Sequence, residues 1–401
     1  MSSGRKKIFL LTSLIVLSVS STDIYVPSLP EMTANFHVTA KLINMTLSFF
    51  VIGMAIGTLF AGILSDRYGR RKILLWANGL YIPITLAIAF SDNILLVIVL
   101  RFLQSLCVSC NIIVARQVIK DSFSYEEQIN ATATMLTGVI LSPALAPVVG
   151  AYLANWFGWR ACFTGSGILG ITVFVWLYRS MEETNKNILR KLPSLGSFIK
   201  GYIGLVISKR LTGYLAVNGC AYAAYFTFIT ISSYVYILEF KILPTNYSLV
   251  YIGLAVAYLA GNYLTKFFVK IKLHSKKVVF IGSWCGVLGA LINFIYFFFP
   301  HSMIIAISCF TIGAILARIG IGINSAPIQV MVMNDYSEKS GQAIGLLYFF
   351  MFIYEFLAAT LVSMFHKDPA TGLIIVTALF GFVMVPVWFY TSNIKGTAER
   401  F

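Results

Sequence analysis

Residues 62–72 read GILSDRYGRRK and place one acid, Asp66, four bases, Arg67, Arg70, Arg71 and Lys72, and two glycines, Gly62 and Gly69, between two long apolar stretches. Five charges cannot be held in hydrocarbon, and an apolar span on each side leaves the segment only a tight hairpin at a membrane face. The excess of bases puts that face on the cytoplasmic side.

Working outward, the rest of the chain agrees. Its 401 residues are 58% hydrophobic and only 11% charged, with a mean hydropathy of +0.84, which is far more apolar than a soluble domain tolerates. Runs long enough to cross about 30 Å of hydrocarbon fall at 8–26, 42–64, 73–91, 94–118, 129–153, 158–179, 211–238, 246–269, 278–299, 302–332, 340–365 and 370–390. The expected fold is an all-α polytopic membrane protein of twelve transmembrane helices in two six-helix halves, residues 1–180 and 211–401. Residues 181–210 form a polar connector carrying Glu182, Glu183, Lys186, Arg190, Lys191, Lys200 and Lys209.

Orientation follows from the bases. An inside N-terminus collects Arg5, Lys6, Lys7, the hairpin, the connector and the Lys266, Lys270, Lys272, Lys276, Lys277 cluster on one side and leaves Lys41, Arg160, Lys241 and Lys367 outside. Both termini are then expected in the cytoplasm. The start, Arg5-Lys6-Lys7 followed by an apolar run and Ser18-Val19-Ser20, imitates a secretory signal, but it leads into Asp23 and two prolines that continue a membrane pattern. The net charge of +15 is spread over short links with no basic domain to hold a duplex, so no nucleic acid is expected as a partner. Six cysteines all fall inside spans, and the isolated Cys107-x-x-Cys110 pair reads as small buried residues, with no metal site expected.

The hairpin residues Gly62, Asp66, Arg67, Gly69, Arg70, Arg71 and Lys72 resemble the loop signature of the major facilitator superfamily. Twelve spans in two halves with a charged central connector agree with that resemblance over the whole chain. Physically the hairpin can act as a latch. Asp66 can sit at the positive N-terminus of a helix from the other half, the span starting near Ser340, while Arg70 pairs an acid such as Asp121. Arg71 and Lys72 can also serve topology alone.

Further motifs narrow the resemblance. The first span ends Ser21-Thr22-Asp23-Ile24-Tyr25-Val26-Pro27-Ser28-Leu29-Pro30, and the fourth opens Arg101-Phe102-Leu103-Gln104. The fifth carries Ser142-Pro143-Ala144-Leu145-Ala146-Pro147-Val148-Val149-Gly150, followed by Trp156-Phe157-Gly158-Trp159-Arg160. Together these resemble the bicyclomycin-resistance (Bcr/CflA) drug-efflux family, which implies a proton-coupled exporter in the bacterial inner membrane. The fifth-span segment resembles the antiporter signature of drug exporters, with Ser142-Pro143 standing where a Gly-Pro pair is usual. Pro143 and Pro147 each remove a helix hydrogen bond, and Gly138 and Gly150 admit a neighbouring helix, so a hinge or a seal is expected there. A kinked helix without a transport role has the same pattern.

Charges within the spans are the sharper signal, because each costs about 2.5 to 3.5 kcal/mol at a helix centre. Four stand out: Asp23, Arg101, Arg318 and Glu355. At 1.5 Å per residue, Asp23 lies about 22 Å above the cytoplasmic start of its span and Arg101 about 10 Å below the outer start of its own, so the two share a depth. Asp23 is expected to take up and release the proton, with Arg101 competing for it. A helix-end acid in outer water and a headgroup anchor are the plainer alternatives. Some related exporters carry a second acid deeper in the first span, and the apolar stretch around Ile15 offers none. Arg318 and Glu355 can pair or line a cavity separately. Tyr225, Tyr348 and Tyr354 around the Glu355 carboxylate would suit an amphipathic or cationic organic molecule, although such aromatics also serve packing and interfacial belts.

The expected function is secondary active transport: a monomer in the lipid bilayer, exchanging protons for a small-molecule substrate such as a drug, with the proton gradient as energy source and no cofactor. Export of an endogenous metabolite such as a siderophore, or import by proton symport, keeps the same fold. A channel or a membrane-embedded enzyme is disfavoured, since no filter loop, nucleotide-binding glycine loop, His cluster or paired catalytic Ser and His occurs. The second half should repeat the hairpin, but residues 267–277 read FFVKIKLHSKK, with no acid and no glycine, and assign no gate there.

Overall fold

A computed structural model of the chain describes residues 3–123, 125–185, 195–299, 302–336 and 340–394. Among them are twelve long helices and no strand: α1 (Ser3–Asp23), α2 (Ala40–Tyr68), α3 (Arg70–Ala89), α4 (Ile94–Ser122), α5 (Tyr125–Phe157), α6 (Arg160–Ser180), α7 (Lys209–Ser233), α8 (Val250–Lys270), α9 (Ser275–Asn293), α10 (Met303–Asp335), α11 (Ser340–Ser363) and α12 (Pro369–Ser392). Eleven are long and apolar enough to cross a membrane, with mean hydropathies of 1.3 to 2.3, and α5 runs 33 residues as one helix. Helices are what hydrocarbon demands, because there every backbone N–H and C=O must find its partner within the segment.

The twelve apolar runs are all helical, and the informative differences lie at their ends. The hairpin is itself almost wholly helix. α2 runs through Asp66 and Arg67 to Tyr68, α3 begins at Arg70, and Gly69 alone breaks them, at φ 98°. A side chain is strained at that φ, so the turn needs glycine. The first span stops short, at Asp23, because Pro27 cannot donate the hydrogen bond that a continuing α-helix requires. The chain instead makes a 3-10 turn over Val26–Ser28 and a short helix over Leu29–Asn35 with Pro30 in its first turn. α7 continues as a π turn over Tyr234–Glu239, and α9 as a 3-10 turn over Phe294–Phe298.

The chain divides into two compact units, Met1–Pro193 with Pro244–Tyr251, and Ser194–Leu243 with Ile252–Phe401. In the first, α1 packs on α4, α5 and α6, α4 packs on α2 and α3, and α3 packs on α6. In the second, α7 packs on α10, α11 and α12, α9 packs on α10 and α12, and Gly261 of α8 lies against the Ile319 backbone of α10. Each pairing in the first unit thus has its counterpart six helices later, so one packing pattern is used twice. Large apolar side chains face outward along both units, among them Leu80, Trp156, Ile304 and Phe389. Polar side chains such as Asn44, Gln104, Asn111 and Asn324 are buried. That inversion of the soluble pattern is what a lipid solvent selects.

Candidate functional site

In the first unit the site is built where α1 ends. Asp23 is buried at its last turn, and its carboxylate acts electrostatically on Arg101 of α4. Arg101 is 0% exposed. Its Nη1 donates to the Ser21 carbonyl at 2.9 Å and to Gln104 Oε1 at 2.5 Å, while Nε and Nη2 make no hydrogen bond among the described residues. Aromatic rings take the faces of the guanidinium instead, with centroids at 4.0 Å for Phe50, 4.6 Å for Tyr25 and 5.8 Å for Phe163. A cation kept from water in this way is stabilised by the ring quadrupoles and by a few charge-assisted hydrogen bonds.

From Arg101 the polar contacts continue. Gln104 Nε2 donates to Thr85 Oγ1 at 2.7 Å, Thr85 donates to the Tyr81 carbonyl at 2.7 Å, and the Tyr81 hydroxyl meets Ser21 Oγ at 2.8 Å. The network therefore returns to α1 beside its starting point. Farther along α3 and α4, Asn78 and Asn111 exchange amide hydrogen bonds of 2.8 and 3.2 Å, and Asn111 also donates to Ser18 Oγ. Satisfied networks of this kind fix side-chain positions in a low-dielectric interior.

The fifth-span motif lies against this helix end. A Cβ on Gly150 would overlap the Ile24 carbonyl oxygen, so α5 approaches the end of α1 as closely as backbones allow. A Cβ on Gly138 would press on Thr12 and Val16 of α1, and Ser142 Oγ donates to the Val16 carbonyl at 3.3 Å. Pro143 and Pro147 sit within α5 between these contacts.

The hairpin network is centred on Arg70. Its Nη1 lies 2.5 Å from Asp66 Oδ1 and its Nε 3.1 Å from Asp121 Oδ2. Nη1 also donates to Ser65 Oγ, which donates to Gln117 Oε1 of α4. Glu183, from beyond α6, accepts the backbone N–H groups of Arg70 and Arg71 at 2.9 and 3.1 Å, and it occupies the space where Gly69 lacks a side chain. That carboxylate caps the positive end of α3. Arg71 donates to the Met181 and Tyr178 carbonyls, which places a cation at the negative end of α6. Arg67 lies over the Tyr68 ring, and Gly62 faces Gln117 and Ile113 at ordinary contact distance.

In the second unit, Arg318 of α10 lies between the rings of Tyr225 and Tyr258, at 4.2 and 4.7 Å. The Tyr222 hydroxyl meets Ser325 Oγ at 3.5 Å, and Arg318, Tyr258 and Tyr348 act on it electrostatically. Glu355 is buried on α11, two helical turns beyond Tyr348. Tyr354 packs its ring over Gly219 of α7 and edge-on to Phe380 of α12. Arg318 and its tyrosines thus form a cluster, and Tyr354 belongs to a different contact.

The basic end of this unit holds an ion pair that the sequence reading left unassigned. Arg210 Nε lies 2.7 Å from Asp335 Oδ2, and the two side chains are 11% and 8% exposed. The Tyr214 hydroxyl donates to the same oxygen at 2.8 Å, and Arg210 Nη1 donates to the Ile394 carbonyl. The Tyr214 ring packs on Trp388, whose indole N–H donates to the Lys276 carbonyl. The beginnings of α7 and α9 and the ends of α10 and α12 are tied together by this cluster. In the first unit the corresponding link is lighter: Lys7 Nζ donates to Ser122 Oγ, from the start of α1 to the end of α4.

The chain matches the family model described as Major Facilitator Superfamily over residues 8–359. It is 24% identical to the chloramphenicol resistance protein CraA of Acinetobacter baumannii over 376 residues, 92% of this chain and 87% of that protein. It is 27% identical over 232 residues to a bicyclomycin resistance protein homolog of Haemophilus influenzae, 57% of this chain and 58% of that protein. Among solved structures, a D-xylose-proton symporter superposes with a TM-score of 0.77 at 15% identity, covering 98% of both chains.

Proposed function

The chain belongs to the major facilitator superfamily, and from that premise we propose that it is a proton-coupled exporter of drugs or other small organic molecules in a bacterial inner membrane. It works as a monomer by alternating access, with both termini in the cytoplasm. The observation that carries the reading is a buried carboxylate, Asp23, at the end of α1 and within electrostatic range of a wholly buried arginine that is gripped on its faces by aromatic rings and at its edge by α1 and Gln104. A buried acid favours its protonated form and a neighbouring cation favours its charged form. In this reading a small shift of Arg101 along α1 changes whether Asp23 holds a proton, and the close approach of Gly150 to Ile24 supports coupling of α5 to that helix end.

In this reading Arg70 and Asp66 latch the hairpin. Arg318, Glu355 and the tyrosines of the second unit contact substrate, the rings and the carboxylate suiting an amphipathic molecule. Exchange of one proton for a neutral substrate supplies about 2.3 kcal/mol per 100 mV and about 1.4 kcal/mol per pH unit. On a typical membrane that sustains a substrate gradient on the order of a hundredfold.

The resistance proteins among the relatives make chloramphenicol and bicyclomycin the first compounds to try. Labelled chloramphenicol is followed in cells stripped of their own exporters. Expression of the chain lowers its accumulation, and a protonophore restores it. Accumulation that rises on expression supports import, and accumulation unmoved by expression, for chloramphenicol and bicyclomycin alike, removes drugs of this class from the proposal.

A further inference from the structure

A groove of about 550 Å³ opens between the start of α7 and the end of α12. Its two ends differ in chemistry. Lys209 and Thr212 of α7 and Tyr390 of α12 line the end at the helix termini, and Ala216 of α7 and Pro386 of α12 line the end within the spans. The helices cross beneath it where Gly213 leaves room for the Thr391 side chain. Among the described residues no acid lines the groove.

Two further observations fix what the polar end recognises. Ser208, at the N-cap of α7, makes no side-chain cap and instead meets the Tyr336 hydroxyl, so the first-turn N–H groups add a positive helix end beside Lys209. Arg210 is committed to Asp335 and the Ile394 carbonyl, which leaves Lys209 as the exposed cation among the groove residues. The short helix Leu195–Val206 arrives at the same level with Lys200, Ile203 and, just past it, Ile207 exposed. Bases beside outward apolar side chains mark the boundary between headgroups and hydrocarbon. The groove therefore begins at headgroup depth and runs inward along apolar walls.

We propose that this groove binds one anionic phospholipid, with its phosphate at Lys209 and Tyr390 and an acyl chain along Ala216 and Pro386. The site is independent of the transported substrate. It lies on the seam that the Arg210–Asp335–Tyr214 cluster closes, so its occupant helps to hold α7 and α12 as one body.

The full-length protein is tested in nanodiscs of phosphatidylcholine with increasing phosphatidylglycerol, and retained lipid is counted by native mass spectrometry. Wild type retains one phosphatidylglycerol in preference to phosphatidylcholine. Lys209→Gln, at an exposed position, weakens that retention about fivefold, the share of one lysine near an anionic surface. Ala216→Trp fills the groove without touching a charge and abolishes retention, with thermal unfolding confirming that the variant is folded. Equal retention in wild type and Ala216→Trp, or equal retention of the zwitterionic and anionic lipids, overturns the proposal.

Discussion

Replacing Arg101 by lysine keeps the charge and removes the plane. The wild-type guanidinium has ring centroids at 4.0 and 4.6 Å on its two nearest aromatic neighbours and donates to Ser21 O and Gln104 Oε1. A compact ammonium can keep one ring and one acceptor at a time. The loss is then one desolvated cation–π contact, about 2 kcal/mol, and one charge-assisted hydrogen bond, about 1.5 to 3 kcal/mol. Together these come to about 4 kcal/mol, enough to lower the unfolding midpoint by several degrees. Removing both charges separates stability from function. In Arg101→Met alone the buried Asp23 carboxylate loses its cation and stability falls as well, whereas Arg101→Met combined with Asp23→Asn removes both charges, so the double variant folds well and fails to transport. The assay pairs thermal unfolding in detergent with substrate transport in proteoliposomes. Arg101→Lys with wild-type stability and rate, or Arg101→Met with wild-type transport, refutes the reasoning.

Three further perturbations test the other networks. Gly150→Ala forces α5 away from the Ile24 carbonyl, with overpacking of about 1 to 3 kcal/mol; transport falls at least tenfold while the protein still inserts, and a wild-type rate would show that the close approach is dispensable. Glu183→Ala uncaps α3 and lowers stability by about 1 kcal/mol, read from unfolding midpoints, with Glu183→Gln intermediate because it keeps an acceptor and loses the charge. Arg210→Gln leaves the buried Asp335 carboxylate without its cation and costs about 3 to 5 kcal/mol. Adding Asp335→Asn in the same chain recovers most of that loss, and a double-mutant cycle with no coupling would contradict the pairing.

Local sequence carried the fold and the positions of the charged side chains, and long-range contacts carried everything that sets their environment. Twelve helices are legible because hydrocarbon admits no other use for runs of that length and composition, and the glycine between Asp66 and Arg70 marks the turn directly. The early end of α1 was also open to reading, since Pro27 follows Asp23 by four residues and forbids the next turn. Asp23, Arg101, Arg318 and Glu355 declared themselves as charges in apolar surroundings. Their partners did not. Phe50, Phe163 and Tyr258 are ordinary aromatics in aromatic-rich spans, and nothing local tells which ring covers a guanidinium. Glu183 caps a helix 113 residues away from it in sequence, and Tyr214 reaches Asp335 across 121. The second unit hid its ion pair for a further reason. The first unit draws its arginine from the α2–α3 hairpin and the second from the start of α7, so a search for a repeated hairpin signature looks in the wrong place.

The central claim is that Asp23 carries the proton exchanged for substrate. Everted membrane vesicles with an imposed pH gradient and a fluorescent reporter of that gradient test it directly. Adding an exported compound to vesicles bearing the wild-type chain releases protons and partly dissipates the gradient, while vesicles bearing Asp23→Asn, at equal protein level, give no release. An unchanged response in the Asp23→Asn vesicles contradicts the account.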